Sequence, residues 1–422
     1  MLLLRFSYYC IMTMLLVWKQ MGLAFRSRHA SKALGHTASS ITTTIPKTTK
    51  HIGVALIQQY LYQNHQRRCY RSSFSLLAKK IVFLGTPDVA ALSLKILHDE
   101  RERFASNDNE YEIVSVVTQP PAPAGRKRKL TPSDVQIMAE NLKLPNVLTP
   151  EKAGEVDFIE KLKSLEPDLC ITAAYGNFLP TKFLNIPKYG TLNIHPSLLP
   201  LYRGAAPLPR SLENGDKVTG VSILFTVLKM DAGPVVKQVV RELNGDEKCT
   251  ELLPELFETG TRALIDVLPS LWDGTIEKIE QNEEEVTHAA KMSTAEARID
   301  FNTMSATEIH NRCRGFSVWP GTWSLFQIGE GTEPVRMKII TTKILNAEAN
   351  GRKDDDSRIV EYMTEGKIGF FKVKCFDGSE LGILELQPPG KKTMAANAYQ
   401  NGLKGLGHTL MWIENPPIVE EE

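Results

Sequence analysis

Asn193 and His195 stand two apart in the segment TLNIH, with Leu192 and Ile194 as apolar neighbours. In a strand alternate side chains share a face, so this spacing aims an amide and an imidazole into the same space. Pro196 cannot donate to a sheet ladder, and the strand is expected to stop there with both polar groups at its end. Asp231 follows the apolar run Val221 to Leu228, which reads as a second strand turning at Asp231, Gly233 and Pro234. If the two strand ends are neighbours, a donor amide, a ring that titrates near neutral pH and an acceptor carboxylate converge without any metal. Such a set can hold a developing oxyanion and move protons around it. The plainer alternatives are a hydrogen-bonded strand end for Asn-x-His and ordinary turn chemistry for the aspartate.

The flanking chain supplies elements to hold these residues. KKIVFLG opens with a buried strand, Ile81 to Leu84, which turns at Gly85 into a helix with Pro87 near its first turn. Further strands are expected over Tyr111 to Thr118, over the apolar run Pro167 to Gly176, and as a pair over Val218 to Leu228 and Val235 to Arg241. Helices are expected over Ser133 to Leu142, Val156 to Leu165, Ala205 to Glu213 and Cys249 to Leu271. This alternation predicts an α/β domain over residues 79–285, a Rossmann-like, mostly parallel sheet covered on both faces. Open sheets of this kind put their chemistry at strand ends. Gly85 alone is not a G-x-G-x-x-G fingerprint, so a dinucleotide is unsupported. The polar residues 286–300 read as a linker. After a helix over Ser305 to Arg314, short β-type runs in residues 301–422 predict a smaller C-terminal β-barrel, OB-like in kind.

Charge is distributed unevenly along the 422 residues. Residues 1–78 hold ten Lys and Arg and no Asp or Glu, leaving 40 basic against 49 acidic residues beyond them, or −9. A general nucleic-acid binder is a poor fit to that remainder, so any RNA contact must come from local patches. Arg126, Lys127, Arg128 and Lys129 form one such patch, in a Pro- and Gly-flanked loop that is either solvated surface or a phosphate clamp. Lys391 and Lys392 form an adjacent pair beside an expected strand end. The acid-free, Ser- and Thr-rich first 78 residues have the composition of an organellar transit peptide. The mitochondrial matrix is expected, with a plastid as the alternative because the apolar run Tyr8 to Trp18 would suit a two-part leader. The cysteines, at positions 10, 69, 170, 249, 313 and 375, show no Cys-x-x-Cys spacing; two fall in the first 78 residues, and the remaining four read as residues of a reducing compartment.

The string SLLPLYRGAAP, Ser197 to Pro207, has little structural excuse. It resembles the SLLPxYRG signature of the folate-dependent formyltransferases, the methionyl-tRNA group in particular and in an organellar form. The resemblance extends in order over roughly residues 79–422. It implies that Asn193, His195 and Asp231 are catalytic, and that Arg203 and Gly204 fix the loop. It assigns Tyr175, Phe178, Leu179, Pro180, Ser197, Leu198, Leu199 and Pro200 to a folate pocket, although ordinary packing accounts for Asn177 to Leu184 equally well and Ser197 is structural or folate-contacting. Pro-Ala-Gly-Arg, in such proteins, enters the acceptor stem of the tRNA, so Arg126 carries over first, followed by Lys127, Arg128 and Lys129, with Lys391 and Lys392 from the barrel. The implied co-substrate is 10-formyltetrahydrofolate, the acceptor is initiator methionyl-tRNA, and no metal is required. The mature form is expected to be a monomer away from membranes. A free α-amine with pKa of about 7.8 is roughly one-seventh neutral at pH 7, so no strong base is demanded. The rivals are a formyltransferase for a small amine, a formyl-folate hydrolase, and a catalytically silent RNA-binding protein. Gly351 to Ser357 look like an exposed hairpin tip with no assigned role.

Overall fold

The computed structural model describes residues 78–104, 109–125, 128–329, 331–348, 358–404 and 410–413. Residues 1–77 of the expected leader, Arg126, Lys127 and the Gly351 to Ser357 segment lie outside the described residues.

The amino-terminal part contains β1 (Lys79–Gly85), β2 (Tyr111–Val117), a hairpin of β3 (Ala122–Ala124) and β4 (Lys129–Thr131), β5 (Val147–Leu148), β6 (Leu169–Ala173), β7 (Thr191–His195), β8 (Arg203–Gly204), β9 (Val218–Phe225) and β10 (Val235–Glu242). The main sheet runs β10-β9-β7-β6-β1-β2-β5. It is parallel from β5 to β7 and turns antiparallel at β9 and β10. The helices are α1 (Asp88–Glu100), α2 (Asp134–Asn141), α3 (Val156–Leu165), the single turn α4 (Thr181–Leu184), α5 (Pro207–Asn214) and α6 (Cys249–Asp273). Side chains of β1 alternate between two cores. Ile81 and Phe83 join Leu94 and Leu97 of α1 with Leu256 and Leu264 of α6, while Val82 and Leu84 join Phe158, Ile159 and Leu162 of α3. Burial on both faces is why the strand reads as continuously apolar. α6 comes close to the sheet at Gly260, where a Cβ would lie 2.6 Å from Val221 Cγ2 and 2.8 Å from Ile194 Cγ2.

The expected strand over Val218 to Leu228 ends earlier, at Phe225, and Val227 and Leu228 are exposed in the loop that follows. Pro167 to Gly176 shortens to β6, because Ala174 already turns away with φ of 46°.

Beyond β11 (His288–Ala289), the carboxy-terminal part comprises β12 (Thr322–Ile328), β13 (Val335–Asn346), β14 (Glu361–Glu365), β15 (Ile368–Lys374), β16 (Glu380–Gln387), β17 (Met394–Ala395) and β18 (Leu410–Ile413), with α7 (Ala306–Gly315) and α8 (Ala396–Lys404). α7 starts in a capping box: Glu308 N donates to Ser305 Oγ at 3.2 Å, and Ser305 N donates back to Glu308 Oε2 at 2.7 Å. The antiparallel order is β14-β15-β16-β13-β12-β18. Val360 N donates to Leu410 O at 2.9 Å and Trp412 N to Arg358 O at 3.0 Å, so the residues leading into β14 meet β18 and curl the sheet into a barrel. Phe301, Phe326, Phe371 and Trp412 fill it. α8 and β18 have no counterpart in the sequence reading; α8 packs Tyr399 and Leu403 onto the barrel core.

The segment between the two parts is hydrogen-bonded to both. Arg203 N donates to Thr287 O at 2.9 Å and Ala205 N to Ala289 O at 3.0 Å, while Trp323 N donates to Ala297 O at 2.9 Å and Ile299 N to Trp323 O at 2.8 Å.

Candidate active site

β7 sends Leu192 and Ile194 into the α1/α6 core and Asn193 and His195 to the other face. His195 is only 4% exposed. Its Nε2 lies 3.0 Å from Tyr202 O, and a carbonyl only accepts, so Nε2 is the donating nitrogen. Its Nδ1 lies 3.7 Å from Asp231 Oδ2, too far for a hydrogen bond but within ion-pair reach when the ring carries both protons. Tyr202 presents that carbonyl from a left-handed backbone, φ 61°, and its hydroxyl donates to Asp216 Oδ2 at 2.6 Å. Burial, followed by the Asp216 carboxylate, pushes the Tyr202 phenol well above its ordinary range. Asn193 is half-buried, and Thr172 Oγ1 on the neighbouring β6 donates to its Oδ1 at 2.8 Å.

Asp231 reaches this place by a route the sequence did not suggest. β9 is antiparallel to β7, with Phe225 opposite Leu192 and Ser222 opposite His195, so β9 ends beside the start of β7. The picture of two neighbouring strand ends is therefore corrected: the loop after Phe225 doubles back to bring its carboxylate to His195. Asp231 itself has φ 50°. Gly204 N donates to Asp231 Oδ2 at 2.9 Å, and Gln281 Nε2 donates to Asp231 O at 2.8 Å and Gly233 O at 2.7 Å. Gln281 Oε1 in turn accepts from Arg203 Nε at 2.9 Å. Arg203, 2% exposed, also lies 2.9 Å from Glu283 Oε1 in an ion pair. Lys229 and Arg203 together hold the Glu283 carboxyl below its usual range. Gly204 adopts φ 133°, and a Cβ there would lie 2.5 Å from Ala289 O, so it is β11 that approaches this glycine closely.

The loop from Ser197 to Pro200 is held from behind. Ser222 Oγ donates to Ser197 O at 2.6 Å and accepts from Leu199 N at 3.0 Å, and Gln238 Nε2 donates to Leu199 O at 2.8 Å. The Ser197 hydroxyl is spent on Leu201 O at 2.7 Å, and Leu199 packs with Leu224 and Val235. Tyr175 and Leu179 are likewise taken into the core with Phe158 and Phe183. The side chains of Tyr175, Leu179, Ser197 and Leu199 are thus turned into the protein, and Ser197 N, which donates to His195 O at 2.8 Å, and Tyr175 O, which accepts from Thr86 Oγ1 at 2.9 Å, are bonded there as well. Phe178 stands 66% exposed, and Pro180, Leu198 and Pro200 are partly so. Among the described residues no cluster of three or more His, Cys, Asp or Glu could hold a metal ion.

Residues 79–268 match the formyl transferase family and residues 291–404 the formyl transferase C-terminal domain. The methionyl-tRNA formyltransferase of Macrococcus caseolyticus is 37% identical over 325 residues, which is 77% of this chain and 96% of that protein. That of Lysinibacillus sphaericus is 36% identical over 330 residues, 78% of this chain and 97% of its own length. The chain belongs to the methionyl-tRNA formyltransferase family. A Helicobacter canadensis N-formyltransferase, solved with folinic acid and dTDP-3-aminofucose, shares the fold of this family member with a TM-score of 0.50 at 16% identity, over 74% of this chain and 99% of that one.

Of the basic residues singled out in this formyltransferase, Arg128 and Lys129 are exposed in the β3–β4 hairpin, Arg128 with φ 47°. Lys391 and Lys392 are exposed in the turn between β16 and β17. Thr172, Gln281, Ser222, Gln238 and the Tyr202 carbonyl went unnoticed in the sequence. Each matters only through a partner on another element, and the signal for Thr172 would have been knowing that β6 lies beside β7.

Proposed function

We propose that this chain transfers the formyl group of 10-formyltetrahydrofolate to the α-amino group of initiator methionyl-tRNA. The observation that carries the reading is the approach of Asp231 to His195, 3.7 Å, on the sheet face that also bears Asn193. Family membership agrees with it. Attack of the amine on the formyl carbon places negative charge on the formyl oxygen, and Asn193 Nδ2 is the donor for that charge. His195 Nε2 is committed to Tyr202 O, so the proton that moves is the one on Nδ1, toward the leaving folate nitrogen. Asp231 stabilises the ring while that second proton is present and offers an acceptor for the proton lost by the attacking amine. Phe178, Pro180, Leu198 and Pro200, which retain exposure, line the folate pocket in this reading, with Tyr175, Leu179, Ser197 and Leu199 shaping the loops behind them. Arg126, Lys127, Arg128, Lys129, Lys391 and Lys392 supply phosphate contacts to the tRNA.

We also propose that the reaction serves translation initiation in an organelle, in the mitochondrial matrix with a plastid as the alternative. The acid-free composition of residues 1–78 supports this, and the destination of a fluorescent fusion of those residues tests it. The mature form is proposed to act as a monomer away from membranes, which light scattering on the purified protein checks. The test of the reaction supplies 10-formyltetrahydrofolate with methionyl-tRNA, free methionine amide and water as competing acceptors. Formyl should appear on methionyl-tRNA; formyl on water or the free amine alone would remove the acceptor assignment.

A further inference from the structure

Strand β6 reads LCITA, and its one hydroxyl with a catalytic neighbour is that of Thr172, 6% exposed. Parallel pairing sets Thr172 directly beside Asn193. The Thr172 Oγ1 lies 2.8 Å from Asn193 Oδ1 and 3.3 Å from Leu192 O. A hydroxyl carries one proton, and the nearer acceptor is the side-chain amide oxygen. With Oδ1 occupied in this way, both amide hydrogens sit on the opposite end, Nδ2. Turned by 180°, the amide would donate to Thr172 and force the hydroxyl proton onto the more distant Leu192 O. It would also present a carbonyl to a developing oxyanion, which repels it.

We propose that Thr172 is a positioning residue, whose proton on Asn193 Oδ1 fixes the amide with Nδ2 facing the reacting formyl oxygen. The inference rests on the role proposed above for Asn193 as the oxyanion donor. Its consequence is specific. Removing the hydroxyl leaves substrate binding intact but lets the amide sample its unproductive orientation, so the loss falls on the chemical step.

The experiment is a double-mutant cycle on the full chain, reading kcat and both KM values for transfer from 10-formyltetrahydrofolate to methionyl-tRNA. Thr172→Val keeps the shape and β-branching and should lower kcat about tenfold, with each KM within about twofold. Thr172→Ser restores the proton and should recover kcat to within about threefold of the parent. In an Asn193→Ala background Thr172→Val should add less than about twofold. An equal loss in both backgrounds would overturn the proposal, because Thr172 would then act on strand packing; so would unchanged kcat in Thr172→Val while Asn193→Ala is strongly impaired. Full activity in Asn193→Ala would instead overturn the underlying role of Asn193. Thermal melts of each variant separate loss of folded protein from loss of rate.

Discussion

Removing the amide of Asn193 is the most local perturbation of the site. Asn193→Ala should lower kcat by about 10²- to 10³-fold, the range seen when one oxyanion donor is lost elsewhere, with folate affinity little changed. Steady-state kinetics checks this, and a change confined to KM would contradict it. At this scale much of the geometry was legible: the two-residue spacing of Asn193 and His195 and the stop at Pro196 put both side chains on one face at the end of a strand, as β7 has them. What was not legible was the support. Thr172 sits in a run that reads simply as apolar strand, and its bond to Asn193 exists only because β6 is the neighbour of β7. Nor could the sequence show that the Tyr202 carbonyl, at 3.0 Å, would occupy His195 Nε2.

The loops that carry Gly204 and Asp231 are held by a strap. Residues Ile279 to Ala289 contribute the Gln281 bonds to the Asp231 loop, the pairing of Val235 with Ile279, and the short β8–β11 ladder. Gly204 is where strap and loop touch most closely, so Gly204→Ala must both strain φ 133° and push against Ala289 O at 2.5 Å. We expect a destabilisation of about 2 kcal/mol, read as a lower urea midpoint, together with reduced kcat because Gly204 N is a partner of Asp231. An unchanged midpoint would mean that strap and loop separate freely. Composition alone suggests only a polar linker from residue 286 onward, since the role of this segment depends on the partners of Gln281 and on backbone bonds that any residue can make. The same limit applies to the Asp231 loop: its residues read as a turn, but its direction follows from β9 running antiparallel at the end of an otherwise parallel run.

Across the whole molecule, His310 joins the two parts. Its Nδ1 lies 2.9 Å from Thr342 Oγ1 in the barrel and its Nε2 3.0 Å from Gly245 O in the amino-terminal part, with Asp246 at 3.4 Å. Burial, with help from Arg314 nearby, holds its pKa below the ordinary histidine value despite Asp246. A base whose folded pKa is depressed binds more protons when unfolded, so its contribution is fully present above about pH 6.5 and is lost as pH falls below it. Melting temperatures between pH 7.5 and 5 should decline less steeply in His310→Gln than in the parent; parallel curves would contradict this. The expected contact with tRNA also belongs to this scale. Alanine at Arg128 and Lys129 should weaken methionyl-tRNA binding and flatten the slope of log affinity against log salt by about 1.5, while an unchanged slope would make that hairpin mere surface. The two-part architecture and a barrel in its second part were readable from the change in periodicity after the linker, but the segments that close the barrel were not. Closure depends on Arg358 to Val360 meeting β18, a contact between segments roughly fifty residues apart that no local pattern announces.

The most direct test of the central claim is transfer of formyl from 10-formyltetrahydrofolate to methionyl-tRNA by His195→Ala, measured beside the affinity of the same variant for the folate. The arrangement of His195 against Asp231 and Tyr202 predicts a fall in kcat of at least about 100-fold with the affinity for the folate retained. Turnover at the parent rate would show that the imidazole has no part in the reaction.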